Sequence, residues 1–204
     1  HGQTEWNLLG KTQGHGNSDL TPKGIEQAEL LADSMTKYPI DYIYSSDLGR
    51  AYQTAEIIGN KLNIEVEKTE ALREMNFGTW EGRIIKDIIE EDPELYKMWR
   101  NEPHIAKIPQ GETLSQIKER TDAFIKEINE KYDGKHIVLV THSLCARIML
   151  LSFLDSDVKN IYRINQANTA LNIIELRDYG PVVMKMNDTT HIINDTKLEN
   201  SALE

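Results

Sequence analysis

Apolar residues recur along this chain with two alternating periods. In LTPKGIEQAELLADSMTKY (20–38) they fall at Ile25, Ala28, Ala32 and Met35. That spacing predicts a helix, with Thr21 as N-cap and Pro22 in the first helical position. DYIYSS (41–46) reads as a short strand ending in small polar residues, and DLGRAYQTAEIIGNKL (47–62) as a second helix with Ala51, Ala55, Ile58 and Leu62 on one side. IEVEK (64–68) alternates like a strand. REMNFGTWEG (73–82) reads as a loop, and the stretch from about 84 to 109 as helical but punctuated by proline. ETLSQIKERTDAFIKEINEKY (112–132) is a long amphipathic helix in which Thr113 and Gln116 match a capping box. HIVLVTHS (136–143) is a near-continuous apolar run, as in a parallel strand covered on both faces, and SLCARIMLLSFL (143–154) is the helix that follows. TALNIIEL (169–176) and VVMKMN (182–187) predict a terminal antiparallel pair turned at RDYGP (177–181).

Strands alternating with helices predict an α/β fold: three α/β/α layers around a mostly parallel mixed sheet. The 204 residues suffice for one sizeable domain, and the proline-punctuated part, about 84–110, reads as a cap inserted into it. A net charge of −10 argues against nucleic acid or an anionic membrane as the main partner. The single cysteine, Cys145, excludes an intramolecular disulfide and fits a reducing cytoplasm. No apolar stretch reaches membrane-spanning length and nothing resembles a signal peptide. The polar tail LENSALE (198–204) is expected to fray.

Open parallel sheets place ligands beyond the carboxyl ends of their strands. LVTHS delivers His142 to such an end; IYSSDLGR delivers Ser45, Ser46 and then Arg50 in a first helical turn; HGQTEWN would deliver His1 from an upstream strand. Each has a plain structural reading. A lone histidine is more often a satisfied structural one, and an arginine in a first helical turn is usually solvated and opposes the helix dipole. An anion between guanidinium and helix amides would turn that placement to use. Glu74 alone is one more loop carboxylate.

Taken together, HGQTEWN, LTPKGIEQA, SSDLGRAYQTA, REMNFGTWEG, GET and VTHS stand in the order and spacing of the histidine phosphatase superfamily. The resemblance, to the phosphoglycerate mutase-like fold, extends through NDTTHI (187–192). It implies that His1 is the nucleophile that becomes a phosphohistidine, His142 the second pocket histidine, Arg50 the phosphate clamp and Glu74 the proton donor. Asn7, Gln13, Gly14 and the Ser143 amide match positions that complete the phosphate cradle, and Gly2 would let the chain turn beside it. Imidazole suits a nucleophile, since its ordinary pKa of about 6.5 leaves it mostly neutral near pH 7. A covered site would favour the neutral form of Glu74. No metal is implied: Cys145 stands alone and no histidine pair has local ligand spacing.

The family's arginine before the nucleophile, with its strand, would lie ahead of His1, so a short strand upstream of the given sequence is expected. Asn17 stands where relatives commonly carry aspartate and is expected to serve a turn. EMNFGTWEGRIIKDI (74–88) resembles the phosphatase branch, lacking the longer basic, tyrosine-containing segment of dimeric mutases. The expected activity is hydrolysis of a small phosphorylated metabolite, with Tyr96, Met98, Trp99 and His104 of the cap lining the substrate pocket or, for Met98 and Trp99, only packing. The alternatives are a phosphoglycerate mutase, with 2,3-bisphosphoglycerate as cofactor, and a non-catalytic phospho-ligand binder. The phosphatase needs no cofactor.

Overall fold

A computed structural model describes residues 1–192; the tail LENSALE lies outside them. HGQTEWN contains the start of a helix that apolar periodicity does not predict. Thr4 Oγ1 accepts from Asn7 N while Asn7 Oδ1 accepts from Thr4 N, and this capping box starts a short helix, α1 (Glu5–Leu9). Helix α2 (Pro22–Met35) starts as expected, Thr21 Oγ1 accepting from Gly24 N. Then come β1 (Tyr42–Ser46), α3 (Gly49–Leu62), β2 (Val66–Thr69), α4 (Ile85–Glu91) and α5 (Pro93–Asn101). Helix α6 (Leu114–Lys131) opens on the expected Thr113–Gln116 capping box. Strand β3 (Ile137–Val140), α7 (Ser143–Phe153), β4 (Leu171–Arg177) and β5 (Gly180–Asp188) complete the chain. The last turn is tighter than RDYGP suggests. Arg177 pairs with Gly180, so Gly180 and Pro181 already belong to β5.

The parallel sheet runs β2-β1-β3, with Ile43 beside both Val66 and Val138. Alternate residues of β1 face opposite layers. Ile43 packs with Leu31 and Met35 of α2 and Ala55 and Ile58 of α3, whereas Tyr44 belongs with Phe124 of α6 and Ile148 of α7. This makes the three-layer α/β/α arrangement and brings the carboxyl ends of β1 and β3 together.

Strand β3 is less covered than its apolar run predicts: Ile137, Val138 and Leu139 are half-buried and only Val140 is buried. Among the described residues β3 pairs with β1 alone, and the antiparallel β4 with β5 alone. Both strands line a cavity of about 630 Å³, walled by Leu31 and Ile58 of one helical layer and Ile128 and Phe153 of the other, with His1 and His142 also on its lining. One edge of β3 therefore faces open space where a buried sheet would carry another strand.

In the middle segment Trp99 is fully buried, with its ring edge-on to Phe77, Trp80 and Tyr162 at 5.8, 6.5 and 6.2 Å. Packing, the plainer of its two readings, is what Trp99 does. No helix among the described residues is long and apolar enough to cross a membrane.

Candidate active site

The first four residues are stitched into the fold by buried hydrogen bonds. Gly2 N donates to Thr54 Oγ1, Gln3 N to Gln27 Oε1, and Thr21 N to Gln3 O. Gly2 does not adopt a left-handed turn; its glycine is required by close approach, since a Cβ there would stand 2.2 Å from Gly24 O. His1 is held at the end of β3, its backbone nitrogen 3.3 Å from Thr141 O, while Thr169 N and Asn168 Nδ2 both donate to its carbonyl.

This backbone grip orients the imidazole. His1 Nδ1 lies 2.7 Å from Gly2 O, which can only accept, so Nδ1 carries the proton. The lone pair is then on Nε2, consistent with the donor that faces it, Arg50 Nε at 3.3 Å. Two independent contacts give the same tautomer, with Nε2 free of a proton.

Arg50 is not solvated but buried, the second residue of α3. Its Nη1 and Nη2 donate to Gly16 O and Gly14 O, each at 2.8 Å. These carbonyls belong to a turn closed by Gly16 N donating to Gln13 O, with Gly14 at φ +54°. The adjacent Gln13 side chain is buried with neither amide atom partnered among the described residues, a costly arrangement that suits a polar ligand. Asn7 Oδ1, by contrast, serves the cap of α1.

His142 is the N-cap of α7, and its ring lies 5.1 Å from that of His1. Its Nε2 sits 2.8 Å from Ser46 Oγ at the end of β1, and its buried Nδ1 has no partner among the described residues. Burial, and then the positive charge of Arg50, holds its pKa well below the usual histidine range, so it is neutral near pH 7. Ser143 opens α7, where helix geometry leaves backbone N–H groups over.

The next two of those amides are taken by Glu74. This buried carboxylate accepts from Leu144 N, Cys145 N and its neighbour Met75 N. Three N–H donors, two of them at the start of α7, suit the ionised group, where a covered pocket alone would favour the neutral one. The nearby Cys145 thiol is buried and pushed up to about 11 by burial, which makes it a poor nucleophile.

The fold thus brings together His1, Arg50, Gln13 and Gly14 on one side, and His142, Ser143 and Glu74 on the other. It adds residues that the sequence reading gave no role. Gly16 supplies a carbonyl to Arg50, and Asn168 and Thr169 grip His1. Arg120 donates to Ala71 O, Arg73 O and Glu74 O while pairing with Glu112, and so braces the Glu74 loop from behind. Most of these contacts are made to backbone atoms, which leave no residue-type signature. The exception is Glu112, visible in the GET motif but without an evident function there.

Comparison with known proteins matches this geometry to a family. Residues 1–189 fit the profile of the histidine phosphatase superfamily (branch 1). The chain is 32% identical to phosphoserine phosphatase 1 of Hydrogenobacter thermophilus over 192 residues, 94% of this chain and 91% of that one. It is also 32% identical to "Probable phosphoglycerate mutase GpmB" of Yersinia pestis over 197 residues, covering 94% and 92%. Among solved structures, YhfR of Bacillus stearothermophilus superposes with a TM-score of 0.90 at 29% identity, covering 94% and 96%. The protein is a phosphohydrolase of the histidine-phosphatase type, and the chain belongs to the histidine phosphatase superfamily.

Proposed function

We propose that this protein is a metal-independent phosphomonoesterase that hydrolyses a small phosphorylated metabolite through a phosphohistidine on His1. The observation that carries the reading is the tautomer of His1. Its Nδ1 proton is committed to Gly2 O, so the Nε2 lone pair sits beside the Arg50 guanidinium and close to the His142 ring.

In the first half-reaction the Nε2 lone pair attacks phosphorus. The N–P bond forms as the P–O bond to the substrate breaks, and Glu74 gives the leaving oxygen its proton. An arriving phosphate dianion favours that proton on Glu74, because a second negative charge nearby disfavours its ionised form. In the second half, Glu74 as carboxylate takes a proton from water as the water oxygen attacks phosphorus; the N–P bond breaks, and inorganic phosphate leaves. Arg50, the Gln13 amide, the Ser143 N–H and His142 Nδ1 would meet the phosphoryl oxygens. If Ser46 O–H donates to His142 Nε2, the proton lies on Nδ1 and that atom becomes a donor to charge developing in flight. These groups supply the neutralisation, so the reading needs no metal.

The test is hydrolysis of p-nitrophenyl phosphate in the presence of a chelator, with acid-quench trapping of phosphoenzyme. Wild type is expected to turn over and to trap label, and His1→Ala to do neither. Undiminished activity in His1→Ala would overturn the reading. The mutase alternative, favoured by the Yersinia relative, predicts interconversion of phosphoglycerates stimulated by 2,3-bisphosphoglycerate. A non-catalytic binder would bind phosphate without trapping label.

A further inference from the structure

The segment REMNFGTWEG contains a second acid that none of these roles uses. Glu81 is half-buried and follows the short 3-10 turn Gly78–Trp80. One of its atoms, Oε1, accepts from two backbone amides, His15 N at 2.8 Å and Phe77 N at 3.1 Å. His15 sits between Gly14 and Gly16, whose carbonyls grip Arg50. Phe77 lies three residues beyond Glu74, on the same loop. A single carboxylate oxygen therefore ties the turn that holds the guanidinium to the loop that carries the acid. On its incoming side the turn is fixed by backbone bonds at Thr12, to Arg83 O and from Gly82 N. Past Thr12, Glu81 ties its His15 amide across to that loop. The fit is close, since a Cβ on Gly14 would stand 2.2 Å from Oε1.

We propose that Glu81 is a positioning residue for phosphoryl transfer. It sets the Gly14 and Gly16 carbonyls, and through them the Arg50 guanidinium, relative to Glu74. The proposal rests on the phosphatase reading above and adds a residue to it. Because one oxygen accepts both amides, a neutral carbonyl in the same place keeps both bonds. Geometry, not charge, is then what the site needs from Glu81.

The experiment compares kcat, KM and orthovanadate inhibition for wild type, Glu81→Ala, Glu81→Gln, Arg50→Ala and the double variant Glu81→Ala/Arg50→Ala. Glu81→Ala is expected to lower kcat/KM by roughly 10- to 100-fold and weaken vanadate binding, as misplacement of a clamp does. Glu81→Gln should stay within about threefold of wild type, since its carbonyl still accepts both bonds. In the Arg50→Ala background, Glu81→Ala should cost less than about a further twofold, because the two residues act in series. An equal fold loss in both backgrounds, or a Gln variant as impaired as Ala, overturns the proposal in favour of a merely structural role. Should the Ala variant not fold, Glu81→Asp serves in its place, with a loss that must likewise vanish without Arg50. Hydrogen exchange provides an arm independent of turnover: the His15 and Phe77 amides should exchange faster in Glu81→Ala but not in Glu81→Gln, and unchanged exchange in Ala defeats the proposal. If wild type itself neither turns over nor binds vanadate, the phosphatase reading falls, and the exchange arm still decides whether Glu81 sets the turn.

Discussion

Gly24 sets two physical expectations against each other. It is the third residue of α2, where glycine is a poor helix former, so propensity alone makes Gly24→Ala stabilising by up to about 1 kcal/mol. The packing says the reverse. A Cβ at Gly24 would lie 2.1 Å from Gln3 O and 2.8 Å from Gln3 N, both backbone atoms that no rotamer change can move. Accommodating it means separating α2 from residues 2–3, the contact where Gly2 and Gly24 meet backbone to backbone. Overpacking of this kind costs about 1–3 kcal/mol. The separation also strains the buried bonds from Thr21 N to Gln3 O and from Gln3 N to Gln27 Oε1, and each buried group left unpaired costs about 1–3 kcal/mol more. After the propensity gain we expect a net loss of about 3 kcal/mol, which for a domain of this size is roughly 6–12 °C in Tm. Urea denaturation measures it directly. Turnover of p-nitrophenyl phosphate should fall as well, because Gln3 is two residues from His1. A variant as stable as wild type, or more so, would refute the close-approach argument.

Two further outcomes follow from the site and from the groove beside it. His142 is neutral in the folded protein and takes up a proton in the unfolded chain below pH of about 6.5, so its contribution to stability is complete above that pH. It is lost as pH falls, by about 1.4 kcal/mol per unit until the folded site protonates. Denaturation measured between pH 7.5 and 5.5 should therefore show a steeper loss in wild type than in His142→Gln, and parallel slopes would contradict the burial argument. For the groove, we propose that a strand preceding His1 belongs between β3 and β4. Because helices wall both faces, a short apolar, β-branched extension ahead of His1 should raise Tm and slow amide exchange in Ile137–Val140, whereas an extension that leaves both unchanged does not occupy the groove.

Periodicity sufficed for α2, α3 and α6 because each buries one stripe that recurs in the sequence, whereas α7 is buried nearly all round, from Arg147 to Leu151 without a break, and was legible as the helix that follows a strand. At β3 the apolar run rightly gave a parallel strand between two helical layers, yet Ile137, Val138 and Leu139 are only half-buried, because burial also depends on a neighbour at the strand's other edge. The residues beside the run have to come from elsewhere in the chain, and in the described structure that edge is open. Periodicity missed α1, whose start depends on a reciprocal bond between Thr4 and Asn7 and not on any apolar stripe. Helix propensity is weak over five residues, and a cap can decide such a case. At the last turn, RDYGP pointed to the right place but not to the right register, since Gly180 enters the strand.

The site divides along a similar line. Side chains whose chemistry is unusual for their place could be picked out in the sequence: His1 and His142 at strand ends, Arg50 in a first helical turn, Glu74 in a glycine-containing loop. What holds those side chains in position could not, because the partners are mostly main-chain atoms. Arg50 is gripped by two carbonyls, His1 by its own neighbour's carbonyl and by donors from Asn168 and Thr169, and Glu74 by three amides. Any residue type carries a carbonyl and nearly any carries an N–H, so sequence registers such contacts only where the backbone must come unusually close. That is why glycine marks them here. Gly14 meets Glu81 and Gly2 meets Gly24 at distances no Cβ allows. The glycines of HGQ, QGHG and TPKG are therefore the visible trace of the contacts that aim the catalytic groups. A substitution at Gly2 or Gly14 should disturb the group its own carbonyl holds, and one at Gly24 should disturb the aim of His1, which it does not touch.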